Sequence, residues 1–94
     1  MLLFVVSCLF STHAFAYDAE IDGIYYNFKG DEAKVTYRST SYNSYTGDVV
    51  IPESVVYNAK TYSVTSIGST AFRECYDLTS VTIGNSVTSI GRSA

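Results

Sequence analysis

Val64-Thr65-Ser66-Ile67-Gly68-Ser69-Thr70-Ala71 returns 23 residues later as Val87-Thr88-Ser89-Ile90-Gly91-Arg92-Ser93-Ala94, with six of the eight positions identical. Self-similarity at a fixed step predicts units that stack, because each unit is too short to bury an apolar face by itself. One unit then runs from Val64 to Ser86, and a second begins at Val87 and is expected to continue past Ala94. Within the unit, Val64 and Ile67 flank Thr65-Ser66. Gly68 is expected to give a tight bend or a φ > 0 conformation that other residues resist. Ala71-Phe72 turns a ring inward, and Cys75 is bracketed by Arg73-Glu74 and Tyr76-Asp77, so its thiol is expected to point inward from an exposed turn. Leu78, Val81 and Ile83 form the second apolar set. Val81-Thr82-Ile83 reads as a short strand that stacks in parallel on its counterpart one coil later, and Val87 and Ile90 restart the inward set.

Upstream, the residues favour β-structure. Ile24-Tyr25-Tyr26-Asn27-Phe28 and Ala33-Lys34-Val35-Thr36-Tyr37 flank the turn signal Lys29-Gly30-Asp31-Glu32, which predicts an antiparallel hairpin. Strict alternation places Ala33, Val35 and Tyr37 on one face and turns Lys34 and Thr36 to water. Residues 38–46 hold no apolar residue except tyrosine and read as a surface loop. Val49-Val50-Ile51 is a strand ended by Pro52, which cannot donate to a ladder. A second hairpin is expected from Ser54–Tyr57 and Thr61–Val64, joined by the three residues Asn58-Ala59-Lys60. No helix-period stripe of ten or more residues is present.

Residues 2–10, LLFVVSCLF, have the length of a signal-peptide core and are too short to span a bilayer. Ala14-Phe15-Ala16 then supplies small residues where a signal peptidase reads, so residues 1–16 are expected to be removed before Tyr17. The competing reading takes Val5-Val6-Ser7-Cys8 as a lipoprotein box with Cys8 lipidated. Cleavage before Tyr17 removes Cys8 and His13 and leaves Cys75 as the one cysteine, without a histidine.

That subtraction excludes much chemistry. A lone cysteine forms no internal disulfide, zinc needs three or four protein ligands, and a serine nucleophile needs a base. Asp18, Glu20 and Asp22 alternate, but they lack the glycine-turned pattern of a calcium loop and the cleft of a glycosidase, and they read as a solvated terminal segment. No catalytic residue, cofactor site or metal site is expected. Six Lys/Arg against nine Asp/Glu give a net charge of −3 without a basic cluster, which argues against nucleic acid as a partner. Tyr42 and Tyr45, set among serine and asparagine, have the composition of an adaptable binding surface. The alternative is that both rings cover the hairpin.

The unit resembles the BspA-like leucine-rich repeats of bacterial surface proteins, whose pattern runs close to V-T-S-I-G-x-x-A-F-x-x-C-x-x-L-T-S-V-x-I-P-x-S. The match covers Val64 to Gly68, Ala71, Phe72, Cys75, Leu78 to Val81, Ile83 and Ser86, and departs at Gly84, where the family usually has proline. Val50-Ile51-Pro52-Glu53-Ser54-Val55 looks like the junction of a preceding, degenerate unit. The resemblance implies a mainly β fold, with an N-terminal β-hairpin cap over residues 17–48 leading into the first coils of a leucine-rich-repeat solenoid with short parallel strands over 49–94. It further implies an exported, non-enzymatic cell-surface protein that adheres to a protein or glycan on host or neighbouring cells, with no transmembrane span after processing. The alternative is the capping and targeting end of a longer surface protein with an enzymatic domain downstream.

Overall fold

The computed structural model describes residues 17–94, which form eight strands and no helix. The expected export segment 1–16, with Cys8 and His13, lies outside the described residues. Strands β1 (Ala19–Ile21) and β2 (Ile24–Lys29) make a first hairpin around Asp22-Gly23, whose φ values are 51° and 82°. Positive φ at both central residues gives the turn whose twist suits a hairpin, and Asp-Gly is a favoured pair for it. Asp18, Glu20 and Asp22 are all exposed, as a solvated terminal segment requires, but the segment is an ordered strand. They belong to or border β1, and the Asp18 carboxylate accepts a bond from the Phe28 N–H at 2.9 Å.

β2 turns at Gly30 into β3 (Glu32–Thr36), the hairpin the sequence predicts, in the register Tyr26↔Val35 and Asn27↔Lys34. Ala33 and Val35 are buried and Lys34 is exposed, as alternation requires. Thr36 departs from it: the residue is buried because the loop bearing Tyr45 closes over it.

From β3 the chain begins to coil. β3 pairs in parallel with β6 (Lys60–Ile67), setting Ala33 beside Val64 and Val35 beside Ile67. β8 (Ser89–Ile90) pairs in parallel with β6 in turn, setting Ile90 beside Ile67. A second parallel ladder joins β4 (Gly47–Ile51) to β7 (Leu78–Ile83), with Val49 beside Val81 and Ile51 beside Ile83. The parallel stack therefore starts inside the segment expected to be a separate cap. The step from Val35 to Ile67 is 32 residues, whereas that from Ile67 to Ile90 is 23. The longer first coil carries β5 (Ser54–Tyr57), which forms a hairpin with the start of β6. Its turn is the pair Asn58-Ala59, with φ of 50° and 64°, two residues where three were expected.

The core gathers between these sheets. Tyr26, Val35, Ile51 and Val64 are its largest fully buried side chains, and burial of such groups is worth about 1.5–3 kcal/mol each. Of the repeat's inward set, Val64, Ile67 and Ala71 are buried. Phe72, Cys75, Leu78, Val81 and Val87 are half-buried and pack against the core. Ile83 and Ile90 depart from expectation, being 41% and 59% exposed. Each lies in register beside a buried partner, Ile51 or Ile67, and among the described residues no strand covers its other side.

Gly68 is also buried and opens the expected tight turn, its carbonyl accepting from the Ala71 N–H at 3.3 Å, but it does not adopt φ > 0, the other conformation expected of it. A Cβ at Gly68 would sit 3.1 Å from the Val35 carbonyl oxygen, and one at Gly91 would sit 2.5 Å from the Ser69 nitrogen. Glycine at this repeat position allows neighbouring coils to approach: the Gly68 N–H donates to the Val35 carbonyl and the Gly91 N–H to the Ile67 carbonyl, both at 2.7 Å. Left-handed φ falls two residues later, at Thr70 (59°) and Ser93 (57°).

Candidate binding surface

The turns that follow β3 and β6 lie one above the other on the same edge of the coils. Residues 37–46 form the first and 68–77 the second, and the backbones are tied where the Asn43 N–H donates to the Arg73 carbonyl at 3.0 Å. The upper turn is ordered by its own polar groups. The Tyr42 N–H donates to the Ser39 carbonyl at 2.9 Å, and the Arg38 N–H donates to the Ser44 hydroxyl at 2.7 Å. Tyr42 and Asn43 both take left-handed φ, 58° and 51°, which aims the Tyr42 ring along the edge.

Tyr42 is half-exposed and sits between two partners. Tyr37 meets it edge-on with ring centroids 5.2 Å apart, and the Arg73 guanidinium lies 5.0 Å from its ring centre. A cation over a tyrosine face at such a distance contributes about 0.5–1 kcal/mol where water has access. Arg73 also reaches Glu74 at 3.6 Å, and Tyr76 on the same turn is 79% exposed. The edge thus presents tyrosine and arginine from two successive coils, the residue types that dominate binding energy in interfaces.

Tyr45 does not belong to this surface: of the two readings, exposure beside Tyr42 does not hold for Tyr45, and cover for the hairpin does. It is 3% exposed and packs on Tyr25 and Phe72, at 5.7 and 5.1 Å between ring centroids. Its hydroxyl donates to the Thr36 carbonyl and accepts from the Tyr25 N–H. Burial, above all, raises its pKa well beyond the ordinary tyrosine value. Beneath the same turn Cys75 is half-buried, with its thiol 3.7 Å from the Arg73 carbonyl and its side chain against the core.

Sequence reasoning did not single out a second aromatic group. Phe28 stacks between Tyr62 and Tyr57, at 4.1 and 5.2 Å, and Lys60 lies over Tyr62 while reaching Asp31 at 3.2 Å. The signal available was period two along each strand, which sets Phe28 on the face of Tyr26 and Tyr62 on the face of Val64. This stack clamps the β5 hairpin onto the β2–β3 hairpin. On the opposite ladder Asp48 accepts bonds from the Thr79 and Ser80 hydroxyls at 2.6 and 2.9 Å, and these hold its carboxyl below the usual carboxylate range. Among the described residues no group of three or more His, Cys, Asp or Glu is placed to hold a metal, and no helix is long and apolar enough to cross a membrane.

Short parallel strands, a coil step of 23 residues and a glycine at the point of closest coil approach define a leucine-rich-repeat solenoid. The chain is a leucine-rich-repeat protein whose unit carries the BspA-like pattern. It is similar to the crystal structure of a leucine-rich repeat protein from Bacteroides ovatus, with 34% identity and a TM-score of 0.71 over 83% of this chain. It is also similar to a leucine rich cell surface protein from Faecalibacterium prausnitzii, with 27% identity and a TM-score of 0.65 over 87% of this chain. The chain spans 20% of the length of each. No family model and no curated protein matches it.

Proposed function

We propose that the chain is an exported, cell-surface recognition module without catalytic activity, and that it binds a protein or glycan on another cell through the coil edge bearing Tyr42, Arg73 and Tyr76. The observation that carries this reading is the Tyr42 ring held between Tyr37 and Arg73 across two coils. An ordered tyrosine contributes a large contact area at little entropic cost. The apolar run of residues 2–10 and the description of the Faecalibacterium structure as a cell surface protein support the location.

Beads coated with the chain are expected to attach to cultured epithelial or bacterial cells. Loss of attachment after trypsin identifies a protein ligand, and loss after periodate a glycan. Tyr42→Ala combined with Arg73→Ala is expected to weaken attachment about tenfold or more, since two residues of these types each contribute about 1 kcal/mol or more at an interface centre. Undiminished attachment by the double variant refutes this surface, and absence of attachment refutes adhesion. Export is tested separately by mass spectrometry of the secreted protein. Tyr17 is the expected first residue, and a lipidated Cys8 would overturn that cleavage.

A further inference from the structure

We propose that the cleft between the β1–β2 hairpin and strand β5 is a second binding site, which takes an extended peptide of a partner protein as an added strand, with an aliphatic side chain in the cleft and a basic residue beside Asp22. The site is separate from the Tyr42–Arg73 edge, so either can fail while the other stands.

Three observations converge on it. The cleft has a volume of about 420 Å³ and is walled by Ile21, Ile24, Val50, Pro52, Val55 and Val56, with Asp22, Tyr26 and Ser54 as polar members. Val50 and Val56 are 64% and 63% exposed at its rim, an apolar surface that water solvates poorly.

The second observation is Tyr26. The residue is 0% exposed, yet its hydroxyl makes no hydrogen bond, and among the described residues it is the one buried side-chain polar atom in that condition. Its pKa is pushed up to about 12, chiefly by desolvation and then by the Asp22 carboxylate. The phenol therefore remains a proton donor facing a desolvated, negative place. A peptide carbonyl supplies the acceptor it lacks once the cleft's side chains part around it, because the oxygen is closed to solvent in the free chain.

The third is the sheet edge. β5 ends the strand order β1-β2-β3-β6-β5, so one of its sides pairs with no strand. With a two-residue turn, Tyr57 and Lys60 form the hydrogen-bonded pair that closes the hairpin, and Val56 opposite Thr61 turns its N–H and C=O outward. Ser54, Val55 and Val56 all line the cleft, as the edge of a strand does and one face of it cannot. Edge strands are ordinarily guarded by charge or proline. β1, at the other end of the order, carries Glu20, whereas Ser54-Val55-Val56-Tyr57 is uncharged and rich in β-branched residues. Strand addition at such an edge takes its affinity from main-chain bonds and its specificity from pockets for alternate side chains.

The test uses the full chain and a Lys-Val-Thr-Val-Thr-amide probe that carries fluorescein on its N-terminal amine and keeps the lysine side chain free, read by fluorescence anisotropy. Saturable binding is expected, lost when the central threonine of the probe is replaced by proline. Val56→Lys is expected to weaken it about tenfold. Tyr26→Phe should weaken binding about fivefold while the unfolding midpoint of the free chain holds or rises, because it removes an unpaired buried hydroxyl. A purely structural role for Tyr26 would lower that midpoint and leave binding intact. No saturation up to millimolar probe, equal binding of the proline probe, or unchanged binding by Tyr26→Phe each overturns the proposal. So does a sedimenting dimer that Val56→Lys dissociates, because the edge then belongs to a second copy of this chain.

Discussion

Tyr45→Phe is expected to destabilise the chain by about 2 kcal/mol although it deletes a single oxygen, because that oxygen bonds two buried backbone groups at once. Tyr25 and Thr36 are opposite residues at the open end of the β2–β3 hairpin, and the Tyr45 hydroxyl bridges the N–H of one to the carbonyl of the other. Phenylalanine preserves the ring contacts with Tyr25 and Phe72 and leaves both backbone groups desolvated without this partner. Tyr45→Ala also loses the ring, and its expected cost rises to about 3–5 kcal/mol. Urea titrations of the three proteins give the comparison. A Phe variant as stable as the parent would show that the hydroxyl bridge contributes nothing.

The second large effect is alkaline unfolding. Unfolded tyrosine ionises near pH 10, roughly the value in a free peptide. Tyr26 is pushed up to about 12, and Tyr45 is raised further by burial. Both groups favour the protonated form more strongly in the folded chain, so their stabilisation is complete below the unfolded value and is lost as pH rises through the folded values. Each tyrosine withdraws about 1.4 kcal/mol per pH unit across its window. The urea midpoint should therefore hold up to about pH 10 and then fall steeply. Tyr26→Phe should make that fall shallower. A midpoint that stays level through pH 11, about one unit into the window, would contradict the burial of both phenols.

The repeat was legible because its apolar and small residues recur at one spacing, and the hairpin of residues 24–37 because strand runs flank a turn signal. The first coil was legible only at its end, where Val50–Val55 reads as the junction of a preceding unit and Val49 and Ile51 match Val81 and Ile83. Before that, 33–47 shares a fold with 64–78 without sharing its letters. Backbone hydrogen bonds stack β3 on β6 and β4 on β7, and backbone bonds leave little trace in side chains. Tyr45 stayed undecided between exposed surface and hairpin cover for a related reason. In a run of serine, threonine and asparagine a tyrosine looks solvated, and only the geometry of the turn carries it into the core. Tyr42, three residues earlier in the same run, stays half-exposed. The glycine at 68 was read correctly as a constrained position, but its closest contacts come from Lys34 and Val35 in the preceding coil, which the local sequence does not contain. Ile83 and Ile90 show the converse: their pattern specifies an inward direction, and exposure depends on whether another strand lies beyond them.

The bonds between coils also bear on how such a chain lengthens. Thr88 places its N–H on the Thr65 carbonyl, and Gly91 places its N–H on the Ile67 carbonyl, as Gly68 does on that of Val35. Each unit docks through main-chain atoms that the unit before it already presents, so an in-frame duplication of the gene segment encoding 64–86 yields a longer protein whose new copy finds its acceptors waiting. The irregular first coil need not change at all. Because 64–86 carries Arg73 and Tyr76, every added copy also lengthens the edge proposed for binding, so a change in repeat number is at once a change in the area of that edge.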